Sequence, residues 1–253
     1  MVVLETIIVA FSMFSALPMP QIEWTSKNMR YSLLAFPLVG LAVGGVCWLW
    51  TFLCGLLGLP AILRGAGMCV LPVLLTGGIH LDGYADTWDA LASHAAPEKK
   101  RQILHDPHLG AFAAIHLCVY FVISLALWTA LPVFRGWSVL CIFCLSRALS
   151  ALALTMFPLA EGSGLARSFA EAADRKRVRG VLLVYTALLC LALVLLGDVL
   201  SVLAAAVVFL ASRHITRKQF EGLSGDLSGW FLQTAELWML GALCLTEYLE
   251  KLL

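Results

Sequence analysis

Three aspartates stand close together in the stretch GGIHLDGYADTWDA at residues 77–90. Asp82, Asp86 and Asp89 are spaced i, i+4 and i+7, so a helix would place all three carboxylates on one face. Like charges at this spacing destabilise an isolated helix by a few tenths of a kcal/mol per pair. A divalent cation would offset the repulsion, and Mg²⁺ takes one or two carboxylates together with water and substrate phosphates. We therefore predict that these aspartates bind Mg²⁺. The alternative is a solvated acidic first turn of a helix.

Two ionisable residues stand inside apolar segments, where a charge normally faces a partner or a water-filled cavity. Arg147 lies in LSRALS, and Glu236 lies on the last apolar segment. Arg147 could pair with a carboxylate in a structural role, or it could meet a substrate phosphate. The sequence alone favours neither alternative.

Two more aspartates lie in later polar segments. Asp226 stands in GLSGDLSGW, and a structural alternative for it is the N-cap of a helix. Asp106 stands in HDPHLGA, where it could cap a following helix. The two histidines of that segment, with one aspartate, are too few ligands to indicate a zinc site.

Carboxylates from two distant loops and basic residues from a third are the side chains that a phosphoryl-type transfer needs. A metal ion neutralises phosphate oxygens, a carboxylate orients or deprotonates the attacking hydroxyl, and Arg or Lys holds the charged leaving group. We expect one of the candidate acids to act as general base, and the sequence does not say which one. The catalytic candidates are Asp82, Asp86, Asp106 and Asp226.

The elements that carry these residues are membrane helices. Hydrophobic residues make up 61% of the 253 residues and charged ones 13%, against roughly 25% charged in soluble chains. Apolar runs near the spanning length of roughly 17–25 residues recur, and period-2 alternation is absent. We predict an all-α, polytopic integral membrane helical bundle with about seven or eight membrane segments, forming a single domain over residues 1–253. The predicted segments are 2–17, 31–57, 60–80, 111–134, 137–159, 180–197, 199–212 and 230–249.

The long polar connections fall on one face of the membrane, because an even number of crossings separates each from the next. They carry thirteen of the seventeen Lys and Arg residues, and the positive-inside rule makes that face cytoplasmic. We predict a multi-pass protein of the cell inner membrane, in contact with the lipid bilayer, with its site on the cytoplasmic side. The net charge of +1 gives no indication of a nucleic-acid partner. The four connections are 18–30, 82–110, 160–179 and 213–229.

The stretch GGIHLDGYADTWDAL resembles the signature of the cobalamin synthase family, the adenosylcobinamide-GDP ribazoletransferases. It is more specific than the shorter aspartate motif of the CDP-alcohol phosphotransferases. Further matches follow in the family's order across nearly the whole chain. They are LPMP at 17–20, FPLVG at 36–40, residues 106–110, Ser146-Arg147, EGSGLARSFAE at 161–171 and the segment from Ser224 to Glu236.

The resemblance implies a Mg²⁺-dependent membrane transferase late in vitamin B12 synthesis. Such enzymes join adenosylcobinamide-GDP to α-ribazole, or to its 5′-phosphate, release GMP and form adenosylcobalamin or its 5′-phosphate. The resemblance also allows contacts with other membrane-bound enzymes of corrinoid assembly. The residues that it implies for substrate binding are Gly77, Gly78, His80, Arg147, Arg167 and Glu236.

One segment departs from the family pattern. Family members often have Lys-Asp-Ser-Arg-hydrophobic-Gly where this chain has His105 to Gly110. Two fixed cations are thereby replaced by histidines, which are largely neutral near pH 7. If the segment holds phosphate in the family, the hold here is weaker, pH-dependent or supplied by Arg147 or Arg167.

Two other functions fit parts of the sequence. A CDP-alcohol phosphotransferase of phospholipid synthesis uses similar metal chemistry, but its motif has a different aspartate spacing. A membrane transporter could use Arg147 and Glu236 along a pathway. Against a transporter, the acids concentrate at one membrane border and no inverted repeat is visible.

Overall fold

The computed structural model describes residues 2–161 and 164–252, and the regular structure in these ranges is helical apart from one isolated bridge between Leu159 and Leu223. The all-α class is therefore confirmed. A short 3₁₀ turn, Val133–Arg135, precedes α8. The α-helices of the described ranges are α1 (Val2–Phe14), α2 (Ser26–Met29), α3 (Ser32–Leu56), α4 (Ala61–Thr76), α5 (Ile79–Ala92), α6 (Pro97–Ile103), α7 (Ala111–Ala130), α8 (Gly136–Met156), α9 (Gly164–Ala172), α10 (Arg175–Leu195), α11 (Val199–Phe220) and α12 (Gly225–Glu250).

Five helices of the described ranges are long and apolar enough to span a membrane, namely α3, α7, α8, α10 and α11. The pair α4 and α5 adds a sixth span only if the two bent helices are counted together. A polytopic membrane bundle is confirmed, and the helices that qualify by length and apolar composition alone are fewer than the predicted seven or eight membrane segments. The reasons are local: α1 has only 13 residues, and α12 has 26 but carries Gln233 and Glu236 near its middle.

The predicted segment 60–80 is divided by a sharp bend between α4 and α5. Gly77 has φ +65° and Gly78 has φ +78°, so two successive residues adopt the left-handed region that favours glycine. The helix axes on either side differ by 98°. The bend turns α5, and the aspartates on it, away from the direction of the spanning helices.

The segment 199–212 is predicted to be short, with a helix that runs past the membrane as one explanation. The helix is longer than the predicted segment, since α11 continues to Phe220 with Arg217 and Lys218 in its last turn. Likewise α10 begins at Arg175, before the predicted start at 180.

The four long polar connections lie together at one end of the bundle, as predicted. Arg30 Nη2 donates to Asp174 Oδ2 at 3.0 Å, which ties connection 18–30 to connection 160–179. Arg101 donates to the carboxylate of Glu221, which ties connection 82–110 to connection 213–229. Ala160 N donates to Leu223 O at 3.0 Å and links the last two connections.

The opposite end of the bundle is tied by a buried ionic network. Arg135 Nη1 donates to Asp198 Oδ1 at 3.1 Å and Arg135 Nε donates to the carboxylate of Glu247. Ser138 Oγ donates to the second oxygen of Asp198 at 2.5 Å. The short turns before α8 and α11 are thus joined to the last turns of α12, and the two ends of the molecule are distinct.

Candidate active site

A cavity of about 320 Å³ opens among the polar connections. Its wall comes from α1, α3, α5, α8, α9 and α12 and from the segment before α7. One part of the wall is acidic and polar, and the other part is apolar and aromatic. The lining residues used below are Phe14, Phe36, His80, Asp82, His105, Ser150, Ala166, Phe169, Ser224, Asp226 and Ser228.

The acidic part of the wall combines Asp82 of α5 with Asp226 of α12. The two helices pack closely because Gly83 has no side chain: a Cβ there would lie 2.6 Å from the carbonyl oxygen of Asp226 and 2.7 Å from its Cα. Gly229 makes the return contact, where a Cβ would lie 3.0 Å from the carbonyl oxygen of His80. Two glycines thus bring the carboxylates of separate helices to one cavity.

Asp226 is not the N-cap of α12, so that alternative is wrong. Ser224 is the N-cap, and its Oγ accepts from the backbone N–H of Leu227 at 3.2 Å. Asp226 lies in the first turn, where the helix dipole favours a negative charge. Its side chain is therefore free of a capping role and lines the cavity.

The aspartate stripe of α5 points in more than one direction. Asp82 lines the cavity, whereas the carboxylate of Asp89 lies against Gly110 at the start of α7, in space that a Cβ on Gly110 would occupy. Asp86 is partly buried between them. Burial, and then the charges of Asp82, Asp226 and Asp89, raise the pKa of Asp86 to about 7. The carboxylates of Asp82, Asp89 and Asp226 therefore act electrostatically on Asp86, although only Asp82 and Asp226 line the cavity.

Whether the site suits a magnesium ion depends on which oxygen ligands its side chains provide. No three His, Cys, Asp or Glu side chains converge closely enough to hold a metal ion by themselves within residues 2–161 and 164–252. The predicted triad of Asp82, Asp86 and Asp89 is therefore not a preformed cage. Two carboxylates facing one cavity, with the remaining positions left to water and phosphate oxygens, are nevertheless the usual donor set for Mg²⁺. Asp82 and Asp226 meet that description.

His80 lies between the acidic and the aromatic parts of the wall. Its ring is 5.6 Å from the ring of Phe36 and 6.3 Å from that of Phe14, centroid to centroid. The residue is only 5% exposed, and its buried Nε2 has no hydrogen-bond partner within the described residues.

The segment before α7 places His105 in the cavity wall and Asp106 outside it. Asp106 Oδ1 accepts from the backbone N–H of His108 at 3.0 Å and contacts the ring Nδ1 of the same residue at 2.7 Å. These hydrogen bonds lower the pKa of the exposed Asp106. No described helix begins there, since α7 starts at Ala111 with Gly110 as its N-cap. The helix-capping alternative for Asp106 is wrong, and its catalytic role stays a prediction.

Arg147 and Glu236 form a buried ion pair between α8 and α12. Arg147 Nη1 donates to Glu236 Oε1, and Ser146 Oγ donates to the same oxygen at 2.8 Å. Arg147 is 1% exposed, and neither member of the pair lines the cavity. Of the two alternatives for Arg147, the structural pairing is the one observed.

Arg167 lies on α9, the helix that closes one side of the cavity, but it is not part of the wall. Arg167 Nη2 donates to the carbonyl oxygen of Ala160 at 3.1 Å, and Nη1 lies 3.8 Å from Glu171 Oε1. These contacts hold α9 to the connection that precedes it. Binding of a phosphate by Arg167 stays a prediction.

An open groove runs along the other side of α5. Its volume is about 580 Å³, and it is lined by Gly77, Gly78, Leu109 and Leu117 among others. Asp82 lines both this groove and the cavity. Asp82 therefore borders two spaces, the cavity and a more open groove, which suits a reaction between two substrates.

The family model for cobalamin-5-phosphate synthase matches residues 6–244. This chain belongs to the cobalamin-5-phosphate synthase family. Three curated relatives bear the name adenosylcobinamide-GDP ribazoletransferase. The protein of Lachnoclostridium phytofermentans is 38% identical over 238 residues, covering 92% of this chain and 91% of the relative. That of Desulfitobacterium hafniense is 34% identical, covering 92% and 94%, and that of Pseudomonas putida is 34% identical, covering 91% and 94%. No solved structure matches the chain.

The resemblance inferred from the aspartate motif is thus confirmed at the level of the cobalamin-5-phosphate synthase family. Sequence reasoning missed the aromatic part of the wall. Phe36 and Phe169 lie in segments that resemble the family, FPLVG and EGSGLARSFAE, but a phenylalanine in so apolar a chain carries no signal of its own. Phe14, Phe36 and Phe169 become recognisable only when α1, α3 and α9 converge on one space.

Proposed function

We propose that this chain is an adenosylcobinamide-GDP ribazoletransferase, which joins adenosylcobinamide-GDP to α-ribazole or its 5′-phosphate and releases GMP. The observation that carries the proposal is the pair of carboxylates, Asp82 and Asp226, that two helices of a cobalamin-5-phosphate synthase family member direct into one cavity. The names of the relatives supply the substrates. The product is adenosylcobalamin or its 5′-phosphate.

The reaction exchanges one phosphorus–oxygen bond for another. A ribose hydroxyl attacks the phosphorus on the cobinamide side of the pyrophosphate, and the bridging oxygen leaves with GMP. The proton of the hydroxyl passes to a carboxylate. In-line displacement requires the entering and leaving oxygens on opposite sides of the phosphorus. The cavity and the groove, both lined by Asp82, are the two spaces from which we propose that the substrates approach.

Asp82 and Asp226 are the residues that we propose to hold Mg²⁺, with Asp86 and Asp89 adding negative charge behind them. When bound, the ion would neutralise pyrophosphate oxygens. The chain's own residues orient the nucleoside and exclude water from the cavity. Of the candidate bases, Asp82 and Asp226 line the cavity, so the hydroxyl proton most directly reaches one of these two.

We also propose that the cavity end of the bundle faces the cytoplasm across the cell inner membrane. Its four connections carry thirteen of the seventeen Lys and Arg residues, and the positive-inside rule assigns such loops to the cytoplasm. A cytoplasmic cavity has direct access to soluble nucleosides.

The test is product formation by the purified protein in lipid nanodiscs. Mass spectrometry of a reaction containing adenosylcobinamide-GDP and α-ribazole should detect the cobalamin product and GMP in equal amounts, with Mg²⁺ present and not in its absence. Asp82→Asn and Asp226→Asn should each lower kcat by about 100-fold or more, the order seen when one preorganised electrostatic group of an active site is removed.

The matched control is Asp174→Asn, which makes the same change at a carboxylate that caps α10 and pairs with Arg30 away from the cavity. This variant should keep near-normal activity. A wild-type protein that makes no cobalamin, or that converts CDP-diacylglycerol instead, would overturn the proposed function. Full activity in Asp82→Asn would overturn the site and leave the function standing.

A further inference from the structure

The aromatic part of the cavity has no task in the metal and phosphate chemistry described above. Phe14 and Phe36 are stacked with ring centroids 4.1 Å apart, and Phe14 lies 5.9 Å from Phe169. His80 completes the group at 5.6 Å from Phe36. Four rings from α1, α3, α5 and α9 therefore pack side by side into one aromatic wall of the cavity that Asp82 also lines, and a flat aromatic ligand binds against such a wall by stacking.

The composition of the wall excludes the phosphates from this space. Within the described residues, no Lys or Arg lines the cavity, and its polar side chains are two aspartates, two histidines and three serines. A diphosphate needs cationic or metal partners, so the pyrophosphate must stay at the acidic end with Asp82 and Asp226. Only a weakly polar portion of a substrate fits the aromatic end.

The two candidate portions differ in the hydrogen bonds that they require. Guanine presents three N–H donors and several acceptors, and the aromatic end of the wall would leave most of them unpaired at a substantial free-energy cost. A benzimidazole-type base attached to ribose has one free ring nitrogen, which is an acceptor, and otherwise apolar edges. The wall offers one buried ring nitrogen without a partner among the described residues, His80 Nε2, and an N–H there would match that single acceptor.

We propose that Phe14, Phe36, Phe169 and His80 form the subsite for the aromatic base of the ribazole substrate, with His80 Nε2 donating to the free ring nitrogen of the base. This inference rests on the proposed function and deepens it. A base in this position places its ribose next to Asp82 and Asp226. The corrinoid is far larger than a cavity of about 320 Å³, so it approaches Asp82 from the open groove.

The first experiment removes one ring of the subsite. Phe14 is partly exposed and lines the cavity, so Phe14→Ala should fold. It should raise the KM for α-ribazole about tenfold, since stacking of a base on an aromatic side chain contributes roughly 5- to 150-fold in binding. The KM for adenosylcobinamide-GDP should change less than about twofold. Phe11→Ala is the matched control, because Phe11 lies one turn earlier on α1 and packs against the core without lining the cavity.

The second experiment tests the hydrogen bond from His80. The wild-type protein should use α-ribazole about tenfold better, in kcat/KM, than the indole analogue that has CH in place of the free ring nitrogen. His80→Leu should lower activity and use the two nucleosides equally well. A merely structural role for His80 would lower both activities in the same ratio and leave the preference intact.

The outcomes separate this inference from the function on which it rests. A wild-type protein that forms no cobalamin contradicts the function itself. Cobalamin formation in which Phe14→Ala raises the KM for adenosylcobinamide-GDP, and not that for α-ribazole, assigns the cavity to guanine and overturns the subsite. If Phe14→Ala does not fold, Ala166→Leu fills the same cavity from α9 and must weaken equilibrium binding of α-ribazole to the purified protein by at least about tenfold. Unchanged binding would overturn the subsite.

Discussion

Asp86 shows how the residues of this site depend on one another. It is partly buried, and three other carboxylates act on it: those of Asp82, Asp226 and Asp89. Burial of the carboxyl, and then the combined charge of these three carboxylates, raise its pKa to about 7. Mutual repulsion of this kind destabilises the metal-free protein, and a bound cation relieves it.

Removal of the metal should therefore lower the stability of the wild-type protein. At pH 8, above the pKa of Asp86, Mg²⁺ should raise the Tm by several degrees relative to EDTA, since about 1 kcal/mol shifts the Tm of a chain of this size by roughly 2–4 °C. Asp86→Asn should be more stable than wild type in EDTA and should show a smaller Mg²⁺-dependent shift. Differential scanning fluorimetry in detergent measures both. Identical melting of the two proteins in EDTA would contradict the repulsion.

Arg147 and Glu236 also depend on each other, because they form an ion pair of buried, opposite charges. Removing one partner of such a pair typically costs about 3–5 kcal/mol, because the other charge is left buried and unpaired. We expect Arg147→Met and Glu236→Gln each to lower the Tm by about 10 °C. The double variant Arg147→Met/Glu236→Met should recover most of that loss.

Activity of the double variant decides what the pair does. If the pair is only structural, a double variant that has regained its stability should keep measurable transferase activity. A stable but inactive double variant would instead assign Arg147 to the substrate phosphate, the alternative that the sequence left open. Both outcomes are read from the same preparation by product formation.

At the scale of helices, the site depends on how closely α5 approaches α12. Gly83 of α5 faces the backbone of Asp226, and Gly229 of α12 faces the backbone of His80. Small residues at such crossings allow backbones to pack closely, as is common between membrane helices. The approach of the two helices, more than the spacing of the aspartates along α5, brings Asp82 and Asp226 to one cavity.

Gly83→Ala should separate the two acidic helices. Its Cβ would lie 2.6 Å from the carbonyl oxygen of Asp226, so α5 and α12 must move apart by several tenths of an ångström. A misplacement of about 1 Å in an active site costs on the order of 100-fold in rate, and we expect a loss of about 10- to 100-fold in kcat. Gly45→Ala is the control, because a Cβ on Gly45 meets no atom within 4 Å. Equal activity in the two variants would show that the close approach is unimportant.

At the scale of the whole molecule, the bundle has two chemically different ends. The cavity end carries four polar connections joined by contacts such as Arg30 with Asp174. The other end carries the network of Arg135 with Asp198 and Glu247. Helix α12 joins the two ends, since its 26 residues extend about 39 Å at 1.5 Å per residue, enough to cross a bilayer.

This arrangement predicts opposite sides of the membrane for the two ends of α12. Alkaline phosphatase fused after Leu252 should be active, and green fluorescent protein fused there should not fluoresce, because the proposed topology places that end outside the cytoplasm. The same reporters placed after His94, in the connection between α5 and α6, should give the reverse result. Two fusions with the same response would contradict the proposed topology.

The sequence by itself determined the helical membrane class, the grouping of the four polar connections and the family. These features depend on local or additive properties of the sequence. The hydropathy of a segment is the sum over its residues, the membrane side of a loop follows from the number of crossings before it, and the aspartate motif is contiguous. Helix ends were predicted less well. The bend at Gly77 and Gly78 and the extension of α11 to Phe220 do not show in the hydropathy from which the segments were predicted.

Only the tertiary structure decided which side chains meet. It paired Arg147 with Glu236, placed Ser224 and not Asp226 at the N-cap of α12, and turned Asp89 away from the cavity that Asp82 lines. It also collected phenylalanines from three helices into one wall. Such pairings join residues far apart in the chain, and they are set by which helix faces pack together. Because most residues of this chain are apolar, the hydrophobic pattern of one helix does not indicate which other helix it packs against. The fit of side chains in the folded bundle determines that choice.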